Sequence, residues 1–537
     1  MAIFKRNLIT DYLRDRKKIL IFAIAVMFLT MIPYIVGYGS QGEGWRFTGF
    51  VFGVEDGNSY IAKMLSGANG DWLFRTPYSA ENQRGFLAFV PYILLGKLSS
   101  QPAQHDQLIA IYHGFRFFSG ILAILAGFDF ISLFIKEERW KWWALTILIF
   151  GGGGGWILVI MEQKNFLSSL PLDFISPESF GFLGLLGLPH LALARACLLW
   201  GFTTYISKLP GYTTGMFWLF LGFLQPIYVV IAWVVICVHL ILVSVSKWRE
   251  KKGKFTDTWE AVREIFGRAL LGFIISFPLI LYTAVSFFTD PFLKTWAMQN
   301  SLPSPHFVHY LIAYGLYIPF VILGLKNLLK DDRYKAYLIA GWLAILPALV
   351  SAPVSTQRRL AEGVWAAVTI AVISYFEKRN RLSIIEKGYL SLTFPSTILI
   401  ILGAITAAGN PSKPLFRPEP EIKAYNYLAE NVPSRAVVLA SYEAGNNLPA
   451  WTPQRVVLGH GPETANRDLI EQEIERFFSL DYADSYREEF IMKYGVNYIF
   501  WGPLEKELGA WNPASAEYLI EINSIEDYVI YQTVVTN

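Results

Sequence analysis

Charge and cysteine are both scarce in this sequence of 537 residues, and each scarcity excludes a class of protein. Only 17% of the residues are charged, and 46 basic against 43 acidic residues leave a net charge of +3. So small a basic excess gives no support to nucleic-acid binding. Cysteine occurs at only two positions, Cys197 and Cys237, both in apolar runs. That count excludes a disulfide framework, and we expect both residues to be reduced thiols in the interior.

Short catalytic motifs are missing too. The sequence contains no Gly-x-Ser-x-Gly elbow and no two-cysteine metal knuckle. The glycine run at 151–155 lacks the Lys-Ser/Thr ending of a phosphate-binding loop. We assign this run no nucleotide role and interpret it as a flexible hinge, or as a place where backbones pack closely.

Apolar residues dominate what is present. The chain is 53% hydrophobic and 16% aromatic, a composition typical of polytopic membrane proteins. About eleven apolar runs are long enough to cross a bilayer. They lie near 19–37, 108–135, 139–161, 188–207, 211–225, 226–247, 265–287, 305–325, 335–352, 361–377 and 389–408. The weakest is 211–225, which is short and close to Pro226.

Lysine and arginine in the short connections predict the orientation, because such loops stay in the cytoplasm. Residues 1–18 are basic, and no small-residue cleavage site follows the first apolar run, so we predict an uncleaved anchor with a cytoplasmic N-terminus. The connections near 136–141, 247–254, 326–335 and 378–387 are basic as well. All of them face the cytoplasm only if the weak apolar segment 86–98 lies on the outer surface without crossing. The chain is thus predicted to be a multi-pass cell-membrane protein surrounded by membrane lipids.

Residues 409–537 differ in composition from the rest. Helix-like runs at 419–430 and 467–478 alternate with β-like runs at 436–440, 498–501 and 528–531. This alternation predicts a compact α/β domain, and the orientation places it outside the cell. A proline-rich hinge at 411–420 precedes it. We therefore predict a transmembrane domain over 1–408, with a first external loop at 38–107, and an extracytoplasmic domain over 409–537.

The polar stretch 50–81 is too irregular to be a simple link between two membrane helices. It contains Glu55 and Asp56, and a carboxylate at the membrane interface can take a proton from a hydroxyl group. We favour Asp56 as such a base, because Tyr60 would share its helical face. Glu55 is the competitor, since adjacent side chains on a helix point in different directions. Alternatively or in addition, Asp56 caps a helix that starts at Gly57 or Asn58.

Arginine occurs where the orientation predicts an external surface. Arg358 and Arg359 stand in a short loop predicted to be outside, against the usual bias of basic residues. Guanidinium groups bind phosphate oxygens bidentately, so a lipid-linked phosphate would explain this position. The alternatives are contacts with lipid headgroups or with Glu362. Arg195 lies inside a predicted span, which makes it a functional candidate by default, and a structural pair with an acid such as Glu178 is the alternative.

Histidines accompany the arginines at the same predicted face. His190 begins the fourth predicted span, and His113 shares a helical face with Arg116. His306 and His309 are three residues apart, as in some metal sites, but no further ligands accompany them, and packing or hydrogen bonding is favoured. We expect neither metal nor cofactor, with a divalent metal as the alternative.

The segment 459–464 is a polar, glycine-containing stretch of the C-terminal domain. It predicts a turn that opens a helix, with Thr464 or Asn466 as cap. A binding role for this turn is the weaker alternative.

The run Asp56-Gly57-Asn58-Ser59-Tyr60 resembles the Asp-Glu-x-x-Tyr-like signature in the first external loop of the GT-C superfamily of membrane glycosyltransferases. That superfamily includes protein O-mannosyltransferases, the bacterial aminoarabinose transferase and family-39-like bacterial enzymes. Gly57 stands where Glu is common, and Glu55 precedes the motif. The stretch from Gly70-Asp71-Trp72-Leu73 to Pro77-Tyr78 resembles the same loop.

The resemblance implies a polytopic α-helical GT-C-like fold of about eleven transmembrane helices with an external α/β domain. It also implies an inverting glycosyltransferase that moves a sugar from a polyprenyl-phosphate donor to a glycan, lipid or protein acceptor on the outer face. On this basis Asp56 or Glu55 is assigned to catalysis. The assigned donor-phosphate ligands are Arg358, Arg359, Arg116 and Arg195, and the assigned substrate contacts are Tyr60, His190, Glu178 and His306.

A lipid or sugar transporter without catalysis is the main alternative. A transport path requires polar residues through the whole depth of the membrane. The polar residues here cluster at one predicted face, which favours an enzyme. A second alternative is a membrane-anchored binding protein whose C-terminal domain acts alone, and in that case the loop containing Asp56 would be dispensable.

Overall fold

The computed structural model describes residues 12, 14–42, 44–102, 104–379 and 382–534. The chain is mostly helical and ends in a mixed β-sheet. Most of the predicted basic anchor segment 1–18, namely residues 1–11 and 13, lies outside the described residues.

Eight helical stretches among the described residues are long and apolar enough to cross a membrane. They are Lys17–Gly39, Gln104–Ser132, Pro226–Glu250, Phe255–Thr289, Val308–Asp331, Arg333–Val350, Gln357–Glu377 and Ile384–Ala408. The other three predicted runs contain the helices Glu138–Phe150, Pro189–Ile206 and Gly211–Leu224. The chain is therefore a multi-pass membrane protein, as its composition predicts.

Three of these stretches are interrupted. Val308–Asp331 contains the 3₁₀ turn Gly315–Tyr317, Gln357–Glu377 begins with the 3₁₀ turn Gln357–Ala361, and Ile384–Ala408 breaks after Ser391 and resumes at Pro395. The described helices Gln104–Ser132 and Phe255–Thr289, by contrast, are continuous over 29 and 35 residues.

The predicted run 139–161 does not form one helix. The helix Glu138–Phe150 ends at the glycine run, and the short helix Gly155–Ile160 follows it. A side chain at Gly153 would collide with the backbone of Ala313, while its amide donates a hydrogen bond to the carboxylate of Asp173. The absence of a Cβ thus permits a close backbone approach, which is one of the two predicted interpretations of this run.

Short helices occupy the connections. They are Val54–Ala68, Val90–Gly96, Leu172–Ile175, Phe182–Gly187 and Pro291–Gln299, with a 3₁₀ turn at Phe166–Ser168. The predicted surface segment 86–98 contains only the seven-residue helix Val90–Gly96. A helix of seven residues spans about 10 Å, far less than a bilayer, in agreement with the prediction that this segment does not cross.

The predicted hinge 411–420 is partly a strand. Strand β1 (Trp45–Phe47) pairs antiparallel with β2 (Phe416–Pro418). The interpretation of this whole segment as a flexible hinge is therefore wrong, because backbone hydrogen bonds tie residues 416–418 to a distant part of the chain.

A five-stranded mixed sheet forms the C-terminal part. Its strands are β3 (Val437–Leu439), β4 (Arg455–Val456), β5 (Tyr498–Trp501), β6 (Leu519–Ile525) and β7 (Tyr528–Thr533), in the order β4-β3-β5-β7-β6. β3 is parallel to both neighbours, whereas β7 pairs antiparallel with β5 and β6. The associated helices are Glu419–Asn431, Tyr442–Trp451, Arg467–Phe478, Asp484–Tyr494 and Pro503–Leu508, and a 3₁₀ turn covers Pro513–Ser515.

The sheet and its associated helices share a buried core. Leu439 and Ile499 of the sheet and Phe477 and Phe478 of Arg467–Phe478 are fully buried in one cluster. The predicted helices at 419–430 and 467–478 and all three predicted strands are confirmed. Apolar residues at helical spacing mark the two helices, and short runs of buried apolar residues mark strands such as β3 and β5, so these short elements were readable from local sequence.

Two compact units make up the chain. One comprises Met1–Ile32, Phe115–Thr283 and Leu302–Gly403, and the other comprises Pro33–Gly114, Ala284–Ser301 and Ala404–Asn537. The second unit thus gathers most of the predicted external loop 38–107 with the C-terminal residues. The division into domains at 408/409 stays a prediction.

Candidate active site

The acidic pair lies in the first turn of the helix Val54–Ala68. Gly53 precedes this helix in a left-handed conformation (φ 59°), which glycine adopts without strain. The alternative in which Asp56 caps a helix starting at Gly57 or Asn58 is therefore wrong, because the helix has already begun at Val54. Carboxylates in a first turn are stabilised by the partial positive charge of the helix N-terminus.

Glu55 and Asp56 contact different partners in the same unit. The carboxylate Oδ1 of Asp56 lies 3.3 Å from Nε2 of His460, and the Asp56 side chain is 55% exposed. Glu55 accepts a hydrogen bond of 3.1 Å from the hydroxyl of Tyr442. The adjacent acids thus diverge, as expected for neighbouring positions on a helix.

A buried ion pair lies behind His460. Its Nδ1 is 3.3 Å from Oε1 of Glu463, and the same oxygen is 2.5 Å from Nζ of Lys63. Lys63 is on the same helix as Asp56, two turns further along, and both it and Glu463 are almost completely buried. Asp56, His460, Glu463 and Lys63 therefore form a row of alternating charge, which we call the Asp56–Lys63 row.

Hydroxyl groups satisfy the remaining acceptor sites of Glu463. Ser59 donates a hydrogen bond of 2.7 Å to Oε1, and Thr76 donates one of 2.7 Å to Oε2. Lys63 also donates to the hydroxyl of Ser59, and its ammonium lies 4.2 Å from the centre of the Phe89 ring. A buried charge is tolerated only when it is paired and hydrogen-bonded in this way.

The row sets the protonation of its own members. Burial alone lowers the pKa of His460, but the neighbouring carboxylates of Asp56 and Glu463 outweigh burial and raise the pKa to about 9. Burial raises the pKa of Glu463, but the positive charges of Lys63 and His460 overcome it and hold that pKa well below its usual range. Burial lowers the pKa of Lys63, and the charge of Glu463 opposes that effect. At neutral pH His460 is an imidazolium between two carboxylates.

Hydrogen bonds hold the turn Gly459–Thr464, which carries His460 and Glu463. The Thr464 hydroxyl accepts from the amide of Gly459 at 3.3 Å and donates to the carbonyl of Tyr78 at 2.8 Å. Asn466 occupies the position before the helix Arg467–Phe478, but its side chain makes no capping hydrogen bond. The predicted turn is thus confirmed, and the predicted side-chain cap at Asn466 is wrong.

Asparagines fasten the helix Val54–Ala68 to the helix Tyr442–Trp451. Nδ2 of Asn58 donates to Oδ1 of Asn446 at 2.9 Å and to Oδ1 of Asn447 at 3.0 Å. All three residues are buried. The Asp56–Lys63 row is therefore built on a fixed contact between two helices.

Lys63 was missed by the sequence interpretation, and His460 and Glu463 entered it only as members of the predicted turn 459–464. Lys63 was the residue from which the ion pair could have been predicted, because it is the one charged residue in the run 57–70 and lies two helical turns after Asp56. A buried lysine requires an acidic partner, but the local sequence does not say which acid supplies it.

The other unit pairs Arg195 with Glu362. Nε and Nη2 of Arg195 lie 2.6 and 2.9 Å from the two carboxylate oxygens, and Nη2 also donates to the carbonyl of Pro177. The alternative predicted from the sequence, in which Arg195 pairs with an acid, is confirmed, but the acid is Glu362 and not Glu178. The guanidinium group of Arg195 thus binds the carboxylate of Glu362 bidentately.

Arg358 and Arg359 lie in the 3₁₀ turn Gln357–Ala361. Nε of Arg359 is 4.0 Å from Oε1 of Glu178, and the Arg359 side chain is 28% exposed. Nε of Arg358 is buried and makes no hydrogen bond within the described part of the chain. Glu178 also accepts from the hydroxyl of Tyr228 at 3.5 Å. Of the assigned arginines, Arg358 therefore has a buried donor without a hydrogen-bond acceptor among the described residues, and Arg359 has an ion pair at the long distance of 4.0 Å.

The remaining assigned residues are dispersed within their units. Arg116 is buried and donates to the hydroxyl of Thr30 at 2.8 Å. Tyr60 is buried and stacks on Tyr92, with ring centroids 4.6 Å apart. His190 follows Pro189 at the start of the helix Pro189–Ile206 and is half-buried. Their roles in binding stay predictions.

The histidine pair does not act as a unit. His306 is exposed, whereas Nε2 of His309 lies 2.9 Å from the carbonyl of Phe166. Among the described residues no group of three or more His, Cys, Asp or Glu side chains is arranged to hold a metal ion. We assign no residue to a metal.

No protein-family model and no curated protein matches this sequence. Among solved structures, ArnT from Cupriavidus metallidurans, bound to undecaprenyl phosphate, matches with a TM-score of 0.50 and 10% identity, over 97% of this chain and 98% of that chain. The arabinofuranosyltransferase AftD from mycobacteria matches with a TM-score of 0.51 and 12% identity, over 97% of this chain but 40% of that one. The oligosaccharyltransferase of Archaeoglobus fulgidus in its apo form matches with a TM-score of 0.50 and 13% identity, over 93% of this chain and 70% of that one.

Likeness at such low identity establishes the fold. The chain has a GT-C-like fold, with membrane helices and a C-terminal mixed sheet, and the fold class predicted from the sequence is confirmed. The similarity shows the fold and assigns no family.

Proposed function

We propose that this protein is an inverting glycosyltransferase that moves a sugar from a polyprenyl-phosphate donor to an acceptor on the outer face of the cell membrane. The observation that carries the proposal is Asp56, an exposed carboxylate at a helix N-terminus whose neighbour His460 is anchored by a buried ion pair. The fold supports it, because one of the similar structures, ArnT, contains undecaprenyl phosphate.

Asp56 is proposed to accept the proton of the acceptor hydroxyl as that oxygen attacks the anomeric carbon. The bond from this carbon to the phosphate oxygen breaks, and polyprenyl phosphate leaves with the electron pair from the opposite face. One displacement inverts the anomeric centre, so no second nucleophilic carboxylate is required. Phosphate is a good leaving group, and the transfer therefore needs no general acid. Glu55 is the alternative base.

Arg358 and Arg359 are proposed to bind the donor phosphate. A buried guanidinium donor without a partner, as on Arg358, favours an anionic ligand, because an unsatisfied buried donor carries a desolvation cost. Cationic donors at the phosphate also stabilise the charge that develops on the leaving group. Arg195 is bound to Glu362, so its contribution is proposed to be indirect, through the position of that pair.

The test is an assay of the purified protein with a panel of polyprenyl-phosphate sugars and water-soluble and lipid acceptors. We expect sugar transfer with inversion of configuration for at least one donor. Movement of the lipid across a proteoliposome bilayer without any transfer would instead identify a transporter, the alternative kept from the sequence.

A further inference from the structure

We propose that His460 is the positioning residue of Asp56, held in place by the buried pair Glu463 and Lys63. The proposal rests on the proposed function, since it concerns the proton acceptor of that reaction. It assigns to the C-terminal residues an indirect part in catalysis, through a contact with the base.

The geometry distinguishes the two ends of the Asp56–Lys63 row. At one end Lys63 and Glu463 are 1% and 3% exposed, and Ser59 and Thr76 hold the carboxylate from two sides. At the other end the Asp56 side chain is half exposed. His460 is buried and bridges the fixed end to the exposed end.

The contact with His460 restricts the rotation of a half-exposed carboxylate. With Oδ1 of Asp56 next to Nε2 of His460, the orientation of the carboxylate plane is set by a buried ring. A base held in one orientation raises the rate because less rotational entropy is lost when the reacting groups are aligned.

The charges that face His460 come from each element around it. Asp56 and Lys63 lie on the helix Val54–Ala68, and Glu463 lies on the turn of His460 itself. The ring of Tyr78 lies 5.5 Å from the imidazole, centroid to centroid. Next to the turn, the Tyr442 hydroxyl donates to Glu55 and accepts from the amide of Gly461, and the Arg467 guanidinium lies 4.5 Å from the Tyr442 ring. Without the imidazolium, two carboxylates would face one ammonium group, so these surroundings favour a protonated ring.

His460 keeps its proton throughout the transfer. The proton of the acceptor hydroxyl passes to Asp56 while the new bond to the anomeric carbon forms and the bond to the phosphate breaks. Asp56 then releases that proton to water and returns to its ionised form beside the imidazolium.

The experiment compares the wild type with His460→Gln and with the control His105→Gln, in sugar transfer by the full-length protein. His105 is half-buried in the same unit and contacts the backbone carbonyl of Ala450, so it reports the effect of losing a packed histidine. We expect His460→Gln to lower kcat about 10–100-fold while KM for the donor lipid stays within about twofold, because a misplaced base affects the chemical step. His105→Gln is expected to keep the wild-type pH profile.

The pH dependence of the wild type alone gives a second test, which needs no variant to fold. Because the pKa of His460 is raised to about 9, kcat should fall as pH rises through about 9. His460→Gln should lack that alkaline decline. A wild-type kcat that is flat between pH 8 and 10, or a His460→Gln variant with wild-type kcat and profile, would overturn the positioning role.

A stability measurement separates this failure from failure of the proposed function. At pH 7 Asp56→Asn should lower Tm in the wild-type background and have a smaller effect in the His460→Gln background. If the effect of Asp56→Asn on Tm depends on His460 but the protein transfers sugar from none of the donors, the transferase proposal fails and the positioning role fails with it. If the protein transfers sugar but the effect of Asp56→Asn on Tm is the same in both backgrounds, only the contact between His460 and Asp56 is refuted.

Discussion

Oδ1 of Asp56 lies 3.3 Å from Nε2 of His460, although 404 residues separate the two in sequence. The contact joins the first helical turn after an apolar span to a turn of the C-terminal part. It connects an exposed acid to a buried ion pair, and it is the feature on which the proposed chemistry depends.

Replacement of Asp56 by Asn should lower the rate of sugar transfer about 10²–10⁴-fold, the usual effect of losing a general base. Glu55→Gln should lower it much less, because the carboxylate of Glu55 accepts a hydrogen bond from Tyr442, whereas that of Asp56 contacts His460. Asp106→Asn is the control, since Asp106 is an exposed acid of the same unit paired with Arg46. A larger effect for Glu55→Gln would transfer the role of base to Glu55.

Donor binding should depend on Arg358 and Arg359. Arg358→Gln and Arg359→Gln should each weaken binding of the lipid donor by about 1.5–3 kcal/mol, because a charge-assisted contact with phosphate is lost. Binding to the detergent-solubilised protein, measured by fluorescence or calorimetry, tests this. Arg379→Gln is a matched control at an exposed arginine that bonds to Tyr375. Unchanged affinity in both single variants and in the double variant would exclude these residues as the phosphate site.

The Arg195–Glu362 pair should be important for stability. Arg195→Met leaves the carboxylate of Glu362 buried without its partner and should cost about 3–5 kcal/mol of unfolding free energy. The double variant Arg195→Met/Glu362→Leu should regain most of that loss, since no charge is then left in the interior. Thermal or denaturant unfolding in detergent measures both. A double variant as unstable as the single one would show that the pair contributes packing rather than charge compensation.

Stability should fall with rising pH in a window set by His460. Its pKa is raised from 6.5 to about 9 in the folded protein, so its contribution is complete below about 6.5 and is lost as pH rises through about 9. The full contribution is about 3 kcal/mol as an order of magnitude. Tm of the wild type should therefore decline relative to His460→Gln between pH 6.5 and 9. Parallel curves for the two proteins would contradict the raised pKa.

The C-terminal residues are expected to lie outside the cell. Ser412→Cys, at an exposed position after the last membrane helix, should react with a membrane-impermeant thiol reagent added to intact cells. The background should carry Cys237→Ser, because Cys237 is exposed; the prediction of an interior thiol is confirmed for Cys197 and wrong for Cys237. Labelling from the cytoplasmic side alone would invert the predicted orientation.

Much of the architecture was readable from local sequence. Most of the long apolar runs correspond to helices, and the helix-like and β-like runs of the C-terminal part correctly marked the helix Arg467–Phe478 and the strand β5. These elements are readable because the spacing of apolar residues along the sequence shows which side chains of an element are buried. The acidic pair of Glu55 and Asp56 was also found from sequence, through its position in the first polar loop and its resemblance to the GT-C signature.

Local sequence was least informative where distant segments meet. The glycine run ended a helix that its apolar neighbours appeared to continue, because Gly153 lies against the backbone of Ala313. Residues of the predicted hinge formed β2 because β1 supplied the hydrogen-bond partners. In both cases the deciding contact lies far away in sequence.

Composition and periodicity by themselves determined that this is a multi-pass membrane protein with a C-terminal α/β part, and they located an acid in the first polar loop. Only the tertiary structure decided that Lys63 pairs with Glu463, that Arg195 pairs with Glu362, and that Asp56 contacts His460. The physical reason is that a buried charge must find an opposite charge in space. Neither hydrophobic periodicity nor motif spacing specifies which of many acids and bases will be brought within reach.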